Sequence, residues 1–528
     1  MQTLHLTLSP PIPYPVHARL QRHTAENIDK WTTEALESIG LKVDSLLGSD
    51  ASADTTAIST INRTFLKPDH LKRLGIDQDT TDPDDFVFKK VSDNGANIKA
   101  AWDDGESWAP CIDHTIELCT LPFTYVERRK EAKIAKGSVA ESFAKGRGLV
   151  GYLHLSSNAQ KDFHTCQKRV GLPENSIDQD VKTRWRTAHN MADQLVFNQS
   201  AVLEMDKDPQ YKDAGDVWGQ NKLSFVDWDH LEQGSACLME AAIGSQLLEG
   251  DEYPTASLVI PTTFRLMQYS SPQSDVFFRN RDEDEFNDAE ANPVMVSHDE
   301  LQPKIQEARS SYHSRLITRF DTELPVSVKK FWFVATVLDP RFKKLSFDGD
   351  RMLKPAHKQD AMKWLTEEYN NKYKHKTYDP SKVAADPPSA AAASQEANDA
   401  DGGSNKRRKV SAASFFVPRV SRDESPAPAP APIPPVEKDK PHKDELEAYL
   451  ALPQIDYTSE WDAVEWWQEN AKLFPNLAVM ARQYMGCPAS SATVERLFSA
   501  VGGCFSKKRR SAGAESISDL IFTKMNVD

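Results

Sequence analysis

The chain has 528 residues, of which 39% are hydrophobic, enough for two or three domains of the usual ~100–200 residues each. With 78 acidic against 64 basic residues the formal net charge is −14, which excludes a molecule-wide positive field for nucleic acid; any such contact must come from local patches. The mean hydropathy is −0.57, and the longest apolar stretch, near Phe331-Trp332-Phe333-Val334-Ala335, falls far short of the ~20 residues that span a bilayer. Six cysteines, at 111, 119, 166, 237, 487 and 504, show neither zinc-finger nor disulfide-framework spacing, so a reducing intracellular compartment is expected. The N-terminus lacks the basic and apolar regions of a secretory signal.

In residues 24–39, Ile28, Trp31, Ala35 and Ile39 share one helical face, with Thr24 as N-cap and Gly40 as stop. Residues 45–85, rich in Asp, Ser and Thr, read as an acidic, poorly ordered insertion. A strand signal, Phe86-Val87-Phe88 through Val91, runs into Ser92-Asp93-Asn94-Gly95-Ala96-Asn97. Residues 98–102 begin like a helix, and 108–121 offer a strand followed by a helix around Cys111 and His114. Helical periodicity dominates 125–245, interrupted near Pro173 and at 178–185. Residues 270–300 read as an acidic loop, after which one helix runs toward Phe331 and closes at Leu338-Asp339-Pro340-Arg341-Phe342. Residues 378–442 are low-complexity and are predicted to be a disordered linker; within them Lys406, Arg407, Arg408 and Lys409 read as a nuclear-localisation signal. No internal repeat interrupts this order.

Close to the C-terminus, residues 474–522 carry three helical signals. Leu477, Met480, Ala481 and Tyr484 repeat with helical spacing after Pro475, a residue favoured at the first helical position. A second helix is expected from Ser491 as N-cap, with Val494, Leu497, Phe498 and Val501 on one face and Gly502-Gly503 as its end. The third has Ile517, Leu520 and Ile521 on one side. The run Pro488-Ala489-Ser490-Ser491-Ala492, followed by Glu495-Arg496 and Phe498-Ser499, resembles the C-terminal dimerisation region of the hAT family of DNA transposases. Trp466-Trp467-Gln468-Glu469-Asn470, Phe474-Pro475 and Arg510 fit the same pattern, and Ser92-Asp93-Asn94-Gly95, Cys111-Ile112-Asp113-His114, Thr183-Arg184-Trp185 and Leu338-Asp339-Pro340-Arg341-Phe342 follow in family order.

The resemblance implies an α/β (α+β) fold: a ribonuclease H-like core interrupted by a large, mainly α-helical insertion domain. On this chain it divides into a partial core at 1–124, the insertion at 125–377, the linker at 378–442 and a dimerisation region completing the core at 443–528. It further implies a two-metal phosphoryl-transfer site, in which carboxylates hold ions that stabilise attacking and leaving oxygens. By resemblance Asp93 occupies the second carboxylate position and Glu495 the third, with Mg or Mn as cofactor if the site is active. The first Asp, expected within an Asp-x-Trp strand, is not found upstream of His23, so the chain reads as N-terminally truncated and deficient in strand transfer.

Each assignment has a plainer counterpart. Asp93-Asn94-Gly95 alone is a turn signal, and Glu495 is also a favourable acid at a helix N-terminus. Cys111 and His114 supply two of the four ligands of a structural zinc, so packing or substrate positioning is expected of them. Arg184 and Trp185 resemble the family pair that contacts DNA, but a tryptophan at a helix start is commonly core. Lys507, Lys508, Arg509 and Arg510 grip phosphate or form a solvated face. The apolar set Trp466, Trp467, Leu477, Tyr484, Leu497, Phe498, Leu520 and Ile521 exceeds the needs of a small lobe and is expected to pair with a second copy, giving a homodimer or higher homo-oligomer. Three readings follow: a transposase-derived dimeric protein of the nucleus with DNA as a further partner and no membrane; an active transposase whose zinc finger and first Asp are missing from this sequence; and an interaction scaffold without a DNA role.

Overall fold

The computed structural model describes residues 90–93, 108–124, 134–180, 185–211, 217–250, 253–278, 294–375, 411–416, 444–459, 462–493 and 495–496. The expected elements at 24–39, 45–85 and 98–102, the basic runs at 406–409 and 507–510, and Arg184, Leu497, Phe498, Leu520 and Ile521 lie outside them. In chain order the first elements are β1 (Lys90–Ser92), β2 (Trp108–Pro110), α1 (Ile112–Thr120), α2 (Val139–Leu155), α3 (Ser157–Arg169), α4 (Trp185–Phe197) and α5 (Gln199–Met205). Next come α6 (Val217–Gln220), α7 (Phe225–Leu248), α8 (Val259–Ser270), β3 (Val276–Phe278), β4 (Val294–Val296), α9 (Pro303–Ile317) and α10 (Val326–Leu338). The last are α11 (Pro355–Glu368), α12 (Ala412–Phe416), α13 (Glu445–Ala451), α14 (Ala463–Asn470) and α15 (Pro475–Met485). The described fold is therefore helix-rich, with β1 and β2 paired in parallel and β3 and β4 antiparallel. It divides into two compact units, one formed by Met1–Asp113, Leu247–Pro261 and Pro325–Asp528, the other by His114–Gln246 and Thr262–Leu324. No helix among the described residues is long and apolar enough to cross a membrane.

The second unit is helical because its apolar residues recur with helical spacing behind good caps. Ser138 accepts the Glu141 N–H at the start of α2, and Ser156 accepts the Ala159 N–H at the start of α3. Phe143, Leu149, Val150 and Leu153 turn one face of α2 inward. Helix α7 comes close at Gly234, where an added Cβ would lie 2.9 Å from Phe143 Cε2, so any larger residue must displace that ring. A buried polar cluster also fixes this pair: Ser142 donates to Asp227 (2.7 Å), His230 donates to Ser142 (2.9 Å), and Lys145 pairs with Asp227 at 2.9 Å. Burial pushes the Asp227 carboxyl up, but hydrogen bonds from Ser224, Lys145 and Ser142 outweigh it and hold the group at about 2. The span 270–300, expected to be an acidic loop throughout, contains the β3–β4 ribbon, whose two three-residue apolar runs are too short to stand out as strands beside the acidic stretch.

The single helix expected to run toward Phe331 is two helices. A π-turn at Thr318–Thr322 ends α9, and Pro325, which cannot continue a helix interior, precedes α10. Residues 331–338 of α10 are buried all round, as befits a helix at the centre of a core. Its last carbonyls, orphaned by helix geometry, are claimed by side chains from far along the chain: Tyr449 Oη donates to Val337 O (2.8 Å) and Trp467 Nε1 to Leu338 O (2.8 Å). Just beyond, buried Asp339 accepts from Arg341 Nε (3.0 Å) and Nη2 (2.8 Å) and from Ser257 Oγ (2.9 Å). Lys343 Nζ donates to Tyr449 O at 2.8 Å and lies 4.8 Å from that ring's centre. Helix α15 starts with Pro475, and the buried Glu445 carboxylate accepts the Leu477 (2.8 Å) and Asn476 (3.3 Å) N–H groups at its N-terminus.

The predicted disordered linker also contains structure. Helix α12 buries Phe415 and Phe416, with Phe416 edge-on to Phe342 at 5.3 Å. Two adjacent aromatics offer enough apolar surface to fix one helical turn inside an otherwise polar stretch.

Two outcomes test this account of the first unit. Arg341→Ala leaves a buried carboxylate without its cation, so denaturant unfolding should show a loss of about 3–5 kcal/mol. Burial, helped by Lys344, pushes the Lys343 ammonium down to about 8. Below that pH the burial penalty is fully present; from about 8 up to the unfolded value near 10.4 the unfolded chain binds more protons, so stability rises with pH. Lys343→Met should abolish this rise, measured as the pH dependence of the urea midpoint against wild type.

Candidate functional site

The parallel pair β1–β2 sets the frame, with Lys90 opposite Trp108, Val91 opposite Ala109 and Ser92 opposite Pro110. Trp108 Nε1 donates to Ser92 Oγ at 2.9 Å and Cys111 N to Ser92 O at 2.6 Å, which fixes where β1 ends. Asp93 is the next residue and is exposed, at the strand end where a metal-binding carboxylate would be expected. Immediately after β2, α1 begins, and its first N–H, from Ile112, donates to Ala489 O at 3.0 Å.

That bond brings in the turn beyond α15. Ala489 N donates to Thr255 Oγ1 (2.9 Å), Ser491 N to Cys111 Sγ (3.3 Å), and Cys111 Sγ lies 3.6 Å from Ser490 Oγ. Ser490 Oγ in turn accepts the Ala492 N–H at 3.0 Å. A helical turn follows: Glu495 N donates to Ser491 O (3.1 Å), and Ser491 Oγ to Glu495 Oε1 (3.2 Å). Arg496 Nη2 reaches Glu249 O and Thr493 Oγ1, both at 3.1 Å. Residues hundreds of positions apart are thus joined through Ser92, Cys111, Ala489 and Ser491, with exposed acids Asp93 and Glu495 at the two ends of the chain of bonds.

Cys111 and His114 take different partners. Cys111 packs against the 488–491 turn, whereas His114 Nδ1 pairs with Glu117 Oε2 at 2.9 Å, one turn along α1. Among the described residues no three His, Cys, Asp or Glu side chains gather to hold a metal ion. Trp185 does not offer a platform for a base: at 4% exposure it lies on the buried face of α4 with Ala188, Met191, Ala192 and Leu195. The reading of its apolar ring as DNA-facing fails because the same helical period that places it at the helix start also places it on the core side.

The described members of the expected dimerisation set are likewise inside. Trp466, Trp467, Leu477 and Tyr484 are buried within the first unit. Trp466 stacks on Phe474 at 6.1 Å, Tyr484 stacks on Phe331 at 4.9 Å, and Tyr449 packs on Trp467 at 5.1 Å. Their apolar surface is covered by the chain's own α10 and α13, so they shape the region rather than face a second copy. Thr255 and the Ser257–Asp339 bond, both central here, carry no motif that marks them in sequence.

With this geometry established, comparisons with known proteins identify the C-terminal part. A family model for the hAT family C-terminal dimerisation region matches residues 445–527. Over 442 residues the chain is 21% identical to the human Zinc finger BED domain-containing protein 4, covering 83% of this chain and 31% of that protein. It is 29% identical over 86 residues to the Putative AC transposase of Zea mays, which is 16% of this chain and 11% of that one. It is 34% identical over 55 residues to the Hobo transposase of Drosophila melanogaster, covering 10% of this chain and 8% of the transposase. The chain thus spans about a third of the length of the human relative and about a tenth of each of these two transposases. These matches define a transposase-derived protein with a dimerisation region at its C-terminus. Within the chain, residues 445–527 match the hAT family C-terminal dimerisation region.

The turn at the centre of the site is testable without an assay. Thr255→Val removes the acceptor of the buried Ala489 N–H while keeping shape, and should cost about 1–3 kcal/mol. Hydrogen exchange at the Ala489 amide should accelerate, while amides of the second unit keep their protection.

Proposed function

We propose that this chain is a transposase-derived protein of the nucleus that self-associates through its C-terminal region and contacts DNA through local basic patches, without performing strand transfer. The match of residues 445–527 to the hAT dimerisation region carries this reading. A ribonuclease H-like core, interrupted by the helices of 125–377 and completed from 443 onward, is the architecture proposed for it; the parallel β1–β2 pair followed by α1, with the 488–491 turn bonded back to Cys111 and Ile112, supports that proposal. DNA contact is assigned to Arg184 and to Lys507, Lys508, Arg509 and Arg510, whose charge stands out against a net of −14. Nuclear location is assigned to Lys406, Arg407, Arg408 and Lys409.

One observation favours an active enzyme instead: the bonds through Cys111 and Ser491 tie the strand end at Asp93 to the turn bearing Glu495. Two acids do not make the three-carboxylate set that Mg or Mn would need, so no cleavage step is derived from them. Incubation with family-type terminal-repeat DNA and Mg or Mn separates the readings, since cleavage products appear only under the second.

Light scattering of the full-length chain should give twice the chain mass, and a monomer at micromolar concentration would overturn self-association. DNA affinity should fall steeply with salt. Replacing Lys507, Lys508, Arg509 and Arg510 by Ala should reduce the log–log slope by about 3–4, at ~0.9 per phosphate contact. An unchanged slope removes that run from the DNA interface.

A further inference from the structure

We infer that Ser411 is a phosphate-acceptor site for a serine kinase that reads basic residues, and that its phosphorylation masks the basic run beside it. The inference rests on the reading of that run as a nuclear-localisation signal for its consequence, though not for the modification. In sequence Ser411 follows Lys406-Arg407-Arg408-Lys409-Val410, so four cations stand two to five residues ahead of the hydroxyl with an apolar residue between. A kinase whose substrate groove is acidic would bind such a run by charge complementarity.

The structure adds what the run alone lacks. Ser411 is half-exposed and directly precedes α12, where its Oγ accepts the Ser414 N–H at 3.0 Å and lies 3.1 Å from Ser414 Oγ. Four and five residues further on, Phe415 and Phe416 are buried, with Phe416 against Phe342. The hydroxyl therefore stands between the charged run and an aromatic foot. In the transfer, the Ser411 oxygen bonds to the γ-phosphorus of ATP, the bond to ADP breaks, and the hydroxyl proton leaves to the kinase base. The phosphate retains oxygens for the Ser414 N–H and favours the start of a helical turn, so the foot is expected to stay seated. A phosphate of about −1.5 to −2 beside four cations cuts the local positive charge by roughly half. A partner that recognises the run through acidic residues loses that share of its attraction.

The test uses the full chain. A purified basic-directed kinase with ATP should add phosphate at Ser411, located by peptide mass spectrometry, in wild type and Ser414→Ala but not in Ser411→Ala. In cells, fluorescent fusions of Ser411→Glu should show a nuclear-to-cytoplasmic ratio about threefold or more below that of Ser411→Ala. No phosphate at Ser411 overturns the site. Equal ratios for the two variants, with the wild type nuclear, overturn the masking. Exclusion of every version from the nucleus overturns the nuclear reading and the masking together, while the mass-spectrometric result still decides the site on its own.

Discussion

The first unit depends on how one helix ends. Helix α10 is buried nearly all round, so water cannot reach the carbonyls that its geometry leaves without partners. Tyr449 and Trp467 reach them with single, directional donors, and the Asp339–Arg341 pair closes the chain just beyond. These bonds set the positions of α13 and α14, whose aromatics then pack around Phe474 and hold the start of α15. The turn after α15 lies against Cys111 because everything upstream of it has been placed. A polar requirement at one helix terminus thus decides the arrangement of an apolar cluster that is itself indifferent to direction.

The same logic explains the role of the aromatic pair Trp466-Trp467. Each ring has a face in the core, but only Trp467 spends its indole N–H on a backbone acceptor of α10. The dimerisation region is accordingly part of a larger unit, drawing on residues before position 113, around 255 and across 325–375. Any self-association surface must be sought on what this packing leaves outside.

Local chemistry was legible in the sequence wherever one segment decided its own conformation. Pro475 with Leu477, Met480, Ala481 and Tyr484 marked α15, and Val91 and Trp108 marked two strands at the right places. Helical period over 125–245 covered α4, although its start at Trp185 fell in the expected interruption at 178–185; period alone does not say whether a face meets core or ligand, and Trp185 went to the core. The reach from Thr255 to Ala489 was illegible, because a threonine in a loop gains its meaning from a partner more than two hundred residues away. Helix α12 was hidden by composition: its neighbours are low-complexity, and the averaging that reveals such stretches erases two phenylalanines. The candidate site was half legible, its acids and cysteine by resemblance and its bonding by structure alone.

The bonds that close the first unit also impose an order in time. Tyr449 lies 112 residues beyond its acceptor, Trp467 129 beyond its own, and Ser490 379 beyond Cys111. A ribosome adding about 5–20 residues per second needs roughly 20–75 s to bring Ser490 into being after Cys111. Throughout that interval the nascent strand pair lacks the turn that completes it, and α10, once made, waits a further 112 and 129 residues for Tyr449 and Trp467, while the second unit is made from residues that have all been added by position 324. The architecture therefore lets the second unit close before the first, whose strand pair waits for the turn around Ser490.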